Sequence, residues 1–256
     1  MKSRQAISAT ILVLLLSFKM SHAQFWAQGL GGNEVDEVMD ICRDGAGNIY
    51  SAGYFTNQVE FGTSINHSSA SFGIPDIFIQ KSNSSGVVQW ATEAGGFGSD
   101  RALSVATDGT GNVYITGFYF GTATFGTFTL NAVNGGKDCF IAKLDPFGNF
   151  LWATSAGGMQ ADIGNAISVD PSGNVFVGGQ FEGTSTFGSQ TFTSMLNPNT
   201  LFPSIDIFIS KLDNSGNFLW TKHGSAEFTD RALDIVCDNS GNAYVCGQFS
   251  DTIQFT

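Results

Sequence analysis

The chain has 256 residues, with 11 Lys and Arg against 22 Asp and Glu and a formal charge of −11. A balance this acidic repels nucleic-acid phosphates and anionic bilayer surfaces, so neither a nucleic-acid partner nor membrane insertion is expected. The acids are scattered along the chain, as on a solvated face.

The first residues carry three features of a secretory signal peptide. Met1-Lys2-Ser3-Arg4 is basic, Ala6 to Phe18 is an apolar run, and Ser21-His22-Ala23 offers small residues two apart. The apolar run is too short for a spanning helix, which needs roughly 20 apolar residues. No Cys follows Ala23, which argues against a bacterial lipid anchor there. Residues 1–23 are therefore expected to be a signal peptide and residues 24–256 the mature chain. Without Lys2, Arg4 and Lys19 the mature balance is 8 basic residues against 22 acidic, a net charge of −14.

An internal repeat dominates the mature chain. Trp26, Trp90, Trp152 and Trp220 are spaced by 64, 62 and 68 residues. The turn sequence Asp-x-x-Gly-Asn keeps the same register, as Asp44/Gly47/Asn48, Asp108/Gly111/Asn112, Asp170/Gly173/Asn174 and Asp238/Gly241/Asn242. So does Asp-x-Phe-Ile-x-Lys, at Asp76 to Lys81, Asp138 to Lys143 and Asp206 to Lys211. Three landmarks in one register divide the mature chain into repeats of about 26–89, 90–151, 152–219 and a truncated 220–256.

The second repeat shows how one unit is built. Trp90 to Ala94 is an apolar segment closed by Gly95-Gly96, and Ala102 to Thr107 and Val113 to Tyr119 are the next strands. Asp108-Gly109-Thr110-Gly111-Asn112 joins those two as a tight hairpin: Asp bonds backbone two residues on, and Gly supplies positive φ. Phe125-Gly126-Thr127-Phe128 predicts a small extra hairpin. Cys139 to Leu144 is the following strand, and Asp145-Pro146-Phe147-Gly148-Asn149 repeats the turn chemistry before Phe150-Leu151-Trp152. These strands are short, lack helical periodicity and lack a clean in/out alternation. Strands apolar on both faces belong to sheets sandwiched between neighbours. The expected fold is all-β: propeller blades of four-stranded antiparallel sheets, about four blades in an incomplete ring.

These motifs together, from Gly-Gly and Asp-Arg-Ala through Asp-x-x-Gly-Asn-x-Tyr and Asp-x-Phe-Ile-x-Lys-Leu-Asp to Gly-Asn-Phe-Leu-Trp, resemble the SBBP repeat. That is the β-propeller repeat of secreted bacterial proteins, and the resemblance covers nearly all of Phe25 to Phe255. It implies a propeller, classically seven-bladed, and an exported or cell-surface protein whose relatives carry adhesion-like or sorting domains. It implies no catalytic residues. The chain departs from the pattern in having too few repeats for that ring and an incomplete fourth. The fourth repeat stops after its second strand, so the expectation is a fragment of a longer protein. It would form an open arc and self-associate through the open blade edge.

No catalytic, cofactor or metal residue is assigned. Asp44, Asp108, Asp170 and Asp238 recur once per repeat, as do Lys81, Lys143 and Lys211; a catalytic constellation is needed once, a packing device in every blade. Each turn offers a single carboxylate, short of a calcium loop. His67 and His223 fall in different repeats with no zinc spacing. Cys42, Cys139, Cys237 and Cys246 form no disulfide framework; buried free thiols are expected, with a Cys237–Cys246 pair across a hairpin as the alternative. Asn66-His67-Ser68 and Asn83-Ser84-Ser85 match a glycosylation acceptor. The part that does not repeat is the insertion Met195 to Pro203, a candidate contact loop; the matching loop Asn66 to Gly73 reads as polar. The function expected is a binding or scaffold module for an extracellular protein or glycan, with a hydrolase or lyase on a propeller as the alternative.

Overall fold

The computed structural model describes residues 31–32, 34–61, 65–134, 136–250 and 254–255. The expected signal peptide and the Trp26 strand lie outside the described residues. Every regular element described is a strand. The first blade runs through Glu37–Arg43, Ile49–Thr56, Pro75–Ser82 and Val88–Gly96, paired antiparallel in that order. The second runs through Arg101–Thr107, Val113–Phe120, Lys137–Leu144 and Phe150–Gly158. The third runs through Ile163–Val169, Val175–Glu182, Ile205–Leu212 and Phe218–Ser225. A fourth holds Arg231–Cys237 paired with Ala243–Gln248. Each sheet therefore takes its outermost strand from the Trp segment that opens the next sequence repeat.

The second strands carry the Val-Tyr-Ile type of run, and the structure explains why it does not alternate. Val113 to Tyr119 is buried throughout, because this strand lies mid-sheet and its sheet lies between two others. At the first joint Tyr50, Ala52, Ile77 and Ile79 of one blade meet Val105, Val113, Ile115 and Phe140 of the next. At the second joint Tyr114, Cys139 and Ile141 meet Ile167, Val177, Phe181 and Phe208. The core is a series of such joints. The fourth copy seats Ile235 and Val245 against Ala166, Phe176 and Trp220 by the same arrangement.

The small hairpins strap one blade to the next. Thr122–Phe125 and Phe128–Asn131 form a hairpin, as the Phe125-Gly126-Thr127-Phe128 sequence predicts, with Gly126 at φ 61°. Its first strand then pairs with the Gly95-Gly96 end of the preceding blade, through Ala123↔Gly96 and Thr124↔Gly95. Meanwhile Phe125 lies on Phe140 and Phe150 of its own blade, with ring centroids 4.8 and 5.7 Å apart. Thr184–Phe187 does the same at the next joint, reaching Gly157-Gly158 behind it and Phe208 and Phe218 of its own blade.

The arc is open at both ends among the described residues. Ile41, on the first strand of the first blade, is 63% exposed, whereas its counterparts Val105, Ile167 and Ile235 are 4–6% exposed. Tyr244 in the fourth copy is likewise exposed, although Tyr50 and Tyr114 at the same place are fully buried.

Candidate functional site

The four Asp-x-x-Gly-Asn turns lie at one rim, and their chemistry is consumed locally. Asp44 accepts from the backbone N–H groups of Ala46 and Asn48 at 3.0 and 2.8 Å, from the Asn48 amide at 2.7 Å and from the Tyr50 hydroxyl at 3.1 Å. Asp108, Asp170 and Asp238 repeat the bonds to the backbone and to the Asn amide. The glycines Gly47, Gly111, Gly173 and Gly241 sit at φ 78–89°, as the turn assignment requires. At Asp238 the Asn242 amide holds the carboxyl below its ordinary range; at Asp44 burial acts upward but the hydrogen bonds, led by Asn48, prevail. The turns of Asp145 and Asp213 and the Asn83 turn share this design; Asn83 Oδ1 accepts from the Ser85 and Val87 N–H groups.

A cleft of about 380 Å³ opens between these turns, lined by Asp108, Asn112, Asp170, Ser172, Asn214 and Asn239. The repeated lysines line this rim and are engaged. Lys143 donates to Asn214 Oδ1 and lies 5.0 Å from the Tyr114 ring centroid. Lys211 stands 4.0 Å from Asp170 Oδ2 and 4.8 Å from the Phe176 ring centroid. Lys81 donates to the Pro146 carbonyl and lies 5.1 Å from the Tyr50 ring centroid. The turn acids and Lys211 are thus engaged within their own blade, Lys81 and Lys143 reach the next blade's turn, and none of them is gathered around a reacting centre.

The tryptophans serve the same joints. Trp90 Nε1 donates to Pro146 O at 2.9 Å, and Trp152 Nε1 to Asn214 O at 3.0 Å, in each case a carbonyl of the next blade's outer turn. At the opposite rim, Asp76, Asp138 and Asp206 are buried with Asp100, Asp162 and Asp230. Asp100 accepts from the Gly96 and Phe120 N–H groups, and Asp76 from Ala70. The Gly-Gly pairs leave room for these acids: a Cβ on Gly95 would lie 2.4 Å from Asp76 Oδ1 and 3.0 Å from Asp100 Oδ2. Burial pushes Asp76, Asp138 and Asp206 up to about 6, and Asp100 and Asp162 to about 7, with a neighbouring carboxylate adding to the rise at each of them except Asp138. Among the described residues no group of three or more His, Cys, Asp or Glu is placed to share a metal ion. His223 packs on Phe192 at 4.6 Å, and burial lowers its pKa.

No family model matches the chain. In an alignment that covers 69% of its length, it is 30% identical to an uncharacterized WD repeat-containing protein of Acanthamoeba polyphaga mimivirus. The match spans 14% of that protein. With the stacked antiparallel sheets, this supports one reading of the architecture. The chain is a β-propeller-type repeat.

Repetition accounts for the acids, lysines and tryptophans of the joints, so function is sought where the copies differ. The loops ahead of each third strand meet the connections that enter each first strand, through Asp100 N to Pro75 O, Asp162 N to Lys137 O and Asp230 N to Ile205 O. This rim exposes apolar side chains. In the insertion, Leu196 and Pro203 form an isolated bridge, and Leu196, Leu201 and Phe202 face solvent with Leu201 at φ 61°. The matching loop of the first repeat is not simply polar: Phe72 is 89% exposed. His67 and Asn66 lie on the described strand Ile65–Ser68, but their side chains are outside what the structure describes. Phe97 is 85% exposed, and Met159 occupies the same place one blade on, also exposed. Phe72, Phe97 and Met159 were not singled out by sequence reasoning. Their signal is that they vary within segments that otherwise repeat.

The cysteines depart from expectation in burial. All four are free, yet only Cys139 is buried; Cys42 and Cys237 are partly buried and Cys246 is exposed. Cys237 and Cys246 do not pair because the hairpin sets Cys237 opposite Ala243 and Cys246 opposite Asp234.

Proposed function

We propose that the chain is a non-catalytic binding module, exported behind its N-terminal segment, with repeats of the SBBP type. Its partner docks on the loop rim that carries Phe72, Phe97, Met159, Leu201 and Phe202. The observation that carries this reading is that this rim exposes large aromatic and aliphatic side chains at positions where the repeats differ. Large apolar side chains held in water by an ordered framework mark interaction surfaces, and aromatic anchors are enriched in protein–protein contacts. The matched relative, a WD repeat-containing protein by name, fits a protein-interaction role. The net acidity disfavours nucleic acid, and no helix among the described residues is long and apolar enough to cross a membrane.

The test is selection of binders from a displayed random-peptide library and a glycan array, with wild type and with the variant F72S/F97S/L201S/F202S. These four side chains face solvent, so the variant should melt within a few degrees of wild type, each surface change costing within about 0.5 kcal/mol. It should lose the selected ligands. Retained binding, or turnover of a glycan, peptide or ester substrate abolished by changing one acid, refutes the reading. Export is tested separately, by N-terminal sequencing of chain secreted from a bacterial host, where Gln24 is the expected first residue.

A further inference from the structure

Between the strap hairpin and the third strand of its blade, the chain runs through six residues in the first repeat, five in the second and eleven in the third. The extra length folds as a hairpin of its own. Leu196 bridges Pro203, and Ser204 N donates to Met195 O at 2.6 Å. Asn197 closes the tip with both backbone groups: its N–H donates to Phe202 O and its carbonyl accepts from Leu201 N, each at 2.8 Å. Two buried serines fix the base to the blade. Ser194 Oγ accepts from Gly183 N at 2.9 Å, and Ser204 Oγ donates to Asp206 Oδ1 at 2.7 Å. A tip of this form turns back through a left-handed residue, a place that suits Gly or Asn. Leu201 holds it, at φ 61°. Every other positive-φ position among the described residues is a Gly, Asn57 or Asn134. Leucine is strained in that conformation, and the core gains nothing from it, since Leu201 is 74% exposed and Phe202 70%. Strain kept at a residue that the core does not use points to a role outside the fold.

We infer that Leu201 and Phe202 are the anchor of the loop rim, and that the partner is a folded protein whose uncharged apolar pocket receives this hairpin tip. The inference rests on the rim reading above and narrows it to one element and one kind of partner. The tip is a narrow projection, so a flat surface or an extended peptide would leave most of both side chains in water, whereas a concave site covers them. The backbone bonds at Asn197 hold Leu201 in one direction, and Pro198 and Pro203 stiffen the loop around it. Such preorganisation strengthens binding to a site of fixed shape. A bilayer accepts an apolar side chain in any direction, so a strained and fixed one serves a shaped pocket instead. Residues 195–204 carry no charge, which matches an apolar pocket floor. The chain as a whole has a net charge of −11, which favours neutral or basic groups at the edge of that pocket.

The test selects binders to the full chain, without bias toward any surface, from a displayed library of single-chain Fv fragments, whose paired variable domains form concave sites. The most enriched clones should lose about thirtyfold or more in affinity with Leu201→Asn and with Phe202→Ser. They should lose about threefold or less with Phe147→Ser, which removes an equally exposed aromatic ring from the opposite rim. Asn tolerates the left-handed region, so Leu201→Asn keeps the loop and releases its strain. That variant should melt about 1–4 °C above wild type. Weaker binding together with higher stability is an outcome that a residue kept for the fold cannot give. A lower Tm for Leu201→Asn, or enriched clones indifferent to Leu201, overturns the inference. So does any result that gives the tip another occupant: linear displayed peptides that depend on Leu201 as strongly, adsorption to phosphatidylcholine–phosphatidylserine vesicles that Leu201→Asn abolishes, or a dimer of the chain that it dissolves. If F72S/F97S abolishes rim binding while Leu201→Asn retains it, this inference falls and the rim reading stands; if neither variant matters, both fall.

Discussion

Gly111 and Gly148 are both turn glycines at positive φ, 85° and 88°, yet substitution by Ala should cost them different amounts. Both variants place an L side chain in the left-handed region and lose about 1 kcal/mol from backbone strain. At Gly111 nothing more is added, since a Cβ there meets no atom closer than 3.7 Å. At Gly148 the Cβ would lie 2.9 Å from Trp90 Cε3 and 3.0 Å from Cδ2. The indole is held at its far side by the bond to Pro146 O, so it cannot give way without breaking that bond. Overpacking of this kind adds about 1–3 kcal/mol, giving roughly 2–4 kcal/mol in all. For a chain of this size that is a fall in Tm of roughly 2–4 °C for Gly111→Ala and 5–15 °C for Gly148→Ala. Circular-dichroism melts of the two variants, repeated in a Trp90→Ala background, measure the difference. The excess at Gly148 should disappear once the indole is gone, leaving only strain. Equal losses at the two glycines, or an excess that survives Trp90→Ala, would refute the packing argument.

The buried acids set an unusual pH dependence. Asp76, Asp100, Asp138 and Asp162 have folded pKa values raised to about 6 or 7, so the folded chain holds protons the unfolded chain releases. Stability should fall as pH rises from about 4 through 7 and level off above, while below about 4 protonation of the turn acids Asp44 and Asp108, whose pKa values are lowered, should erode it. Asp138→Asn should flatten this slope and raise Tm at pH 8, since Asp138 Oδ1 is buried without a partner; a lower Tm at pH 8 would count against the protonated-acid reading. Trp152→Phe removes the bond to Asn214 O and should cost about 1–2 kcal/mol by urea titration, with no loss pointing to a joint held by the ring alone. In the native chain at pH 7.5, maleimide should modify Cys246 first and leave Cys139 and Cys42 intact; Cys139 is buried and burial pushes the Cys42 thiol up to about 12.

The strands and the repeat were legible because each copy states the same instruction independently. Asp108 to Asn112 reads as a hairpin by itself, and three other copies at one spacing remove the ambiguity. The partners of the repeated residues were not legible. Asp44 and Asp76 look alike in sequence, yet one is a partly solvated turn cap and the other a buried acid against Gly95. Asp44 is satisfied within its own turn, whereas Asp76 is enclosed by Gly95 and Asp100 at the entry to the next blade, about twenty residues further along the chain. The strap formed by Thr122–Phe125 was seen as a hairpin but not as a joint, because pairing with Gly95-Gly96 crosses blades. Phe72 and Phe97 escaped notice for another reason: an exposed and a buried Phe have the same letter, and only register against the other copies separates them.

That register carries the functional argument. Where the copies agree, the structure finds an internal partner: Trp90 has Pro146, Lys143 has Asn214, Asp108 has Asn112, and Phe140 has Phe125. Agreement between copies is thus explained by the demands of folding each blade and stacking it on the next, and a ligand need not be invoked. Where they disagree, stacking places no demand, and a residue there is free to be polar. Polar residues are the default choice at such exposed loop positions. Phe72 and Phe97 at the first joint, Met159 at the second and Leu201-Phe202 at the third are instead apolar and solvated. Each exposes hydrophobic surface that the blades do not use, and all lie on the rim opposite the Asp-x-x-Gly-Asn turns. A surface that stacking leaves free, and that is nevertheless apolar at three successive joints, is what a bound partner would cover.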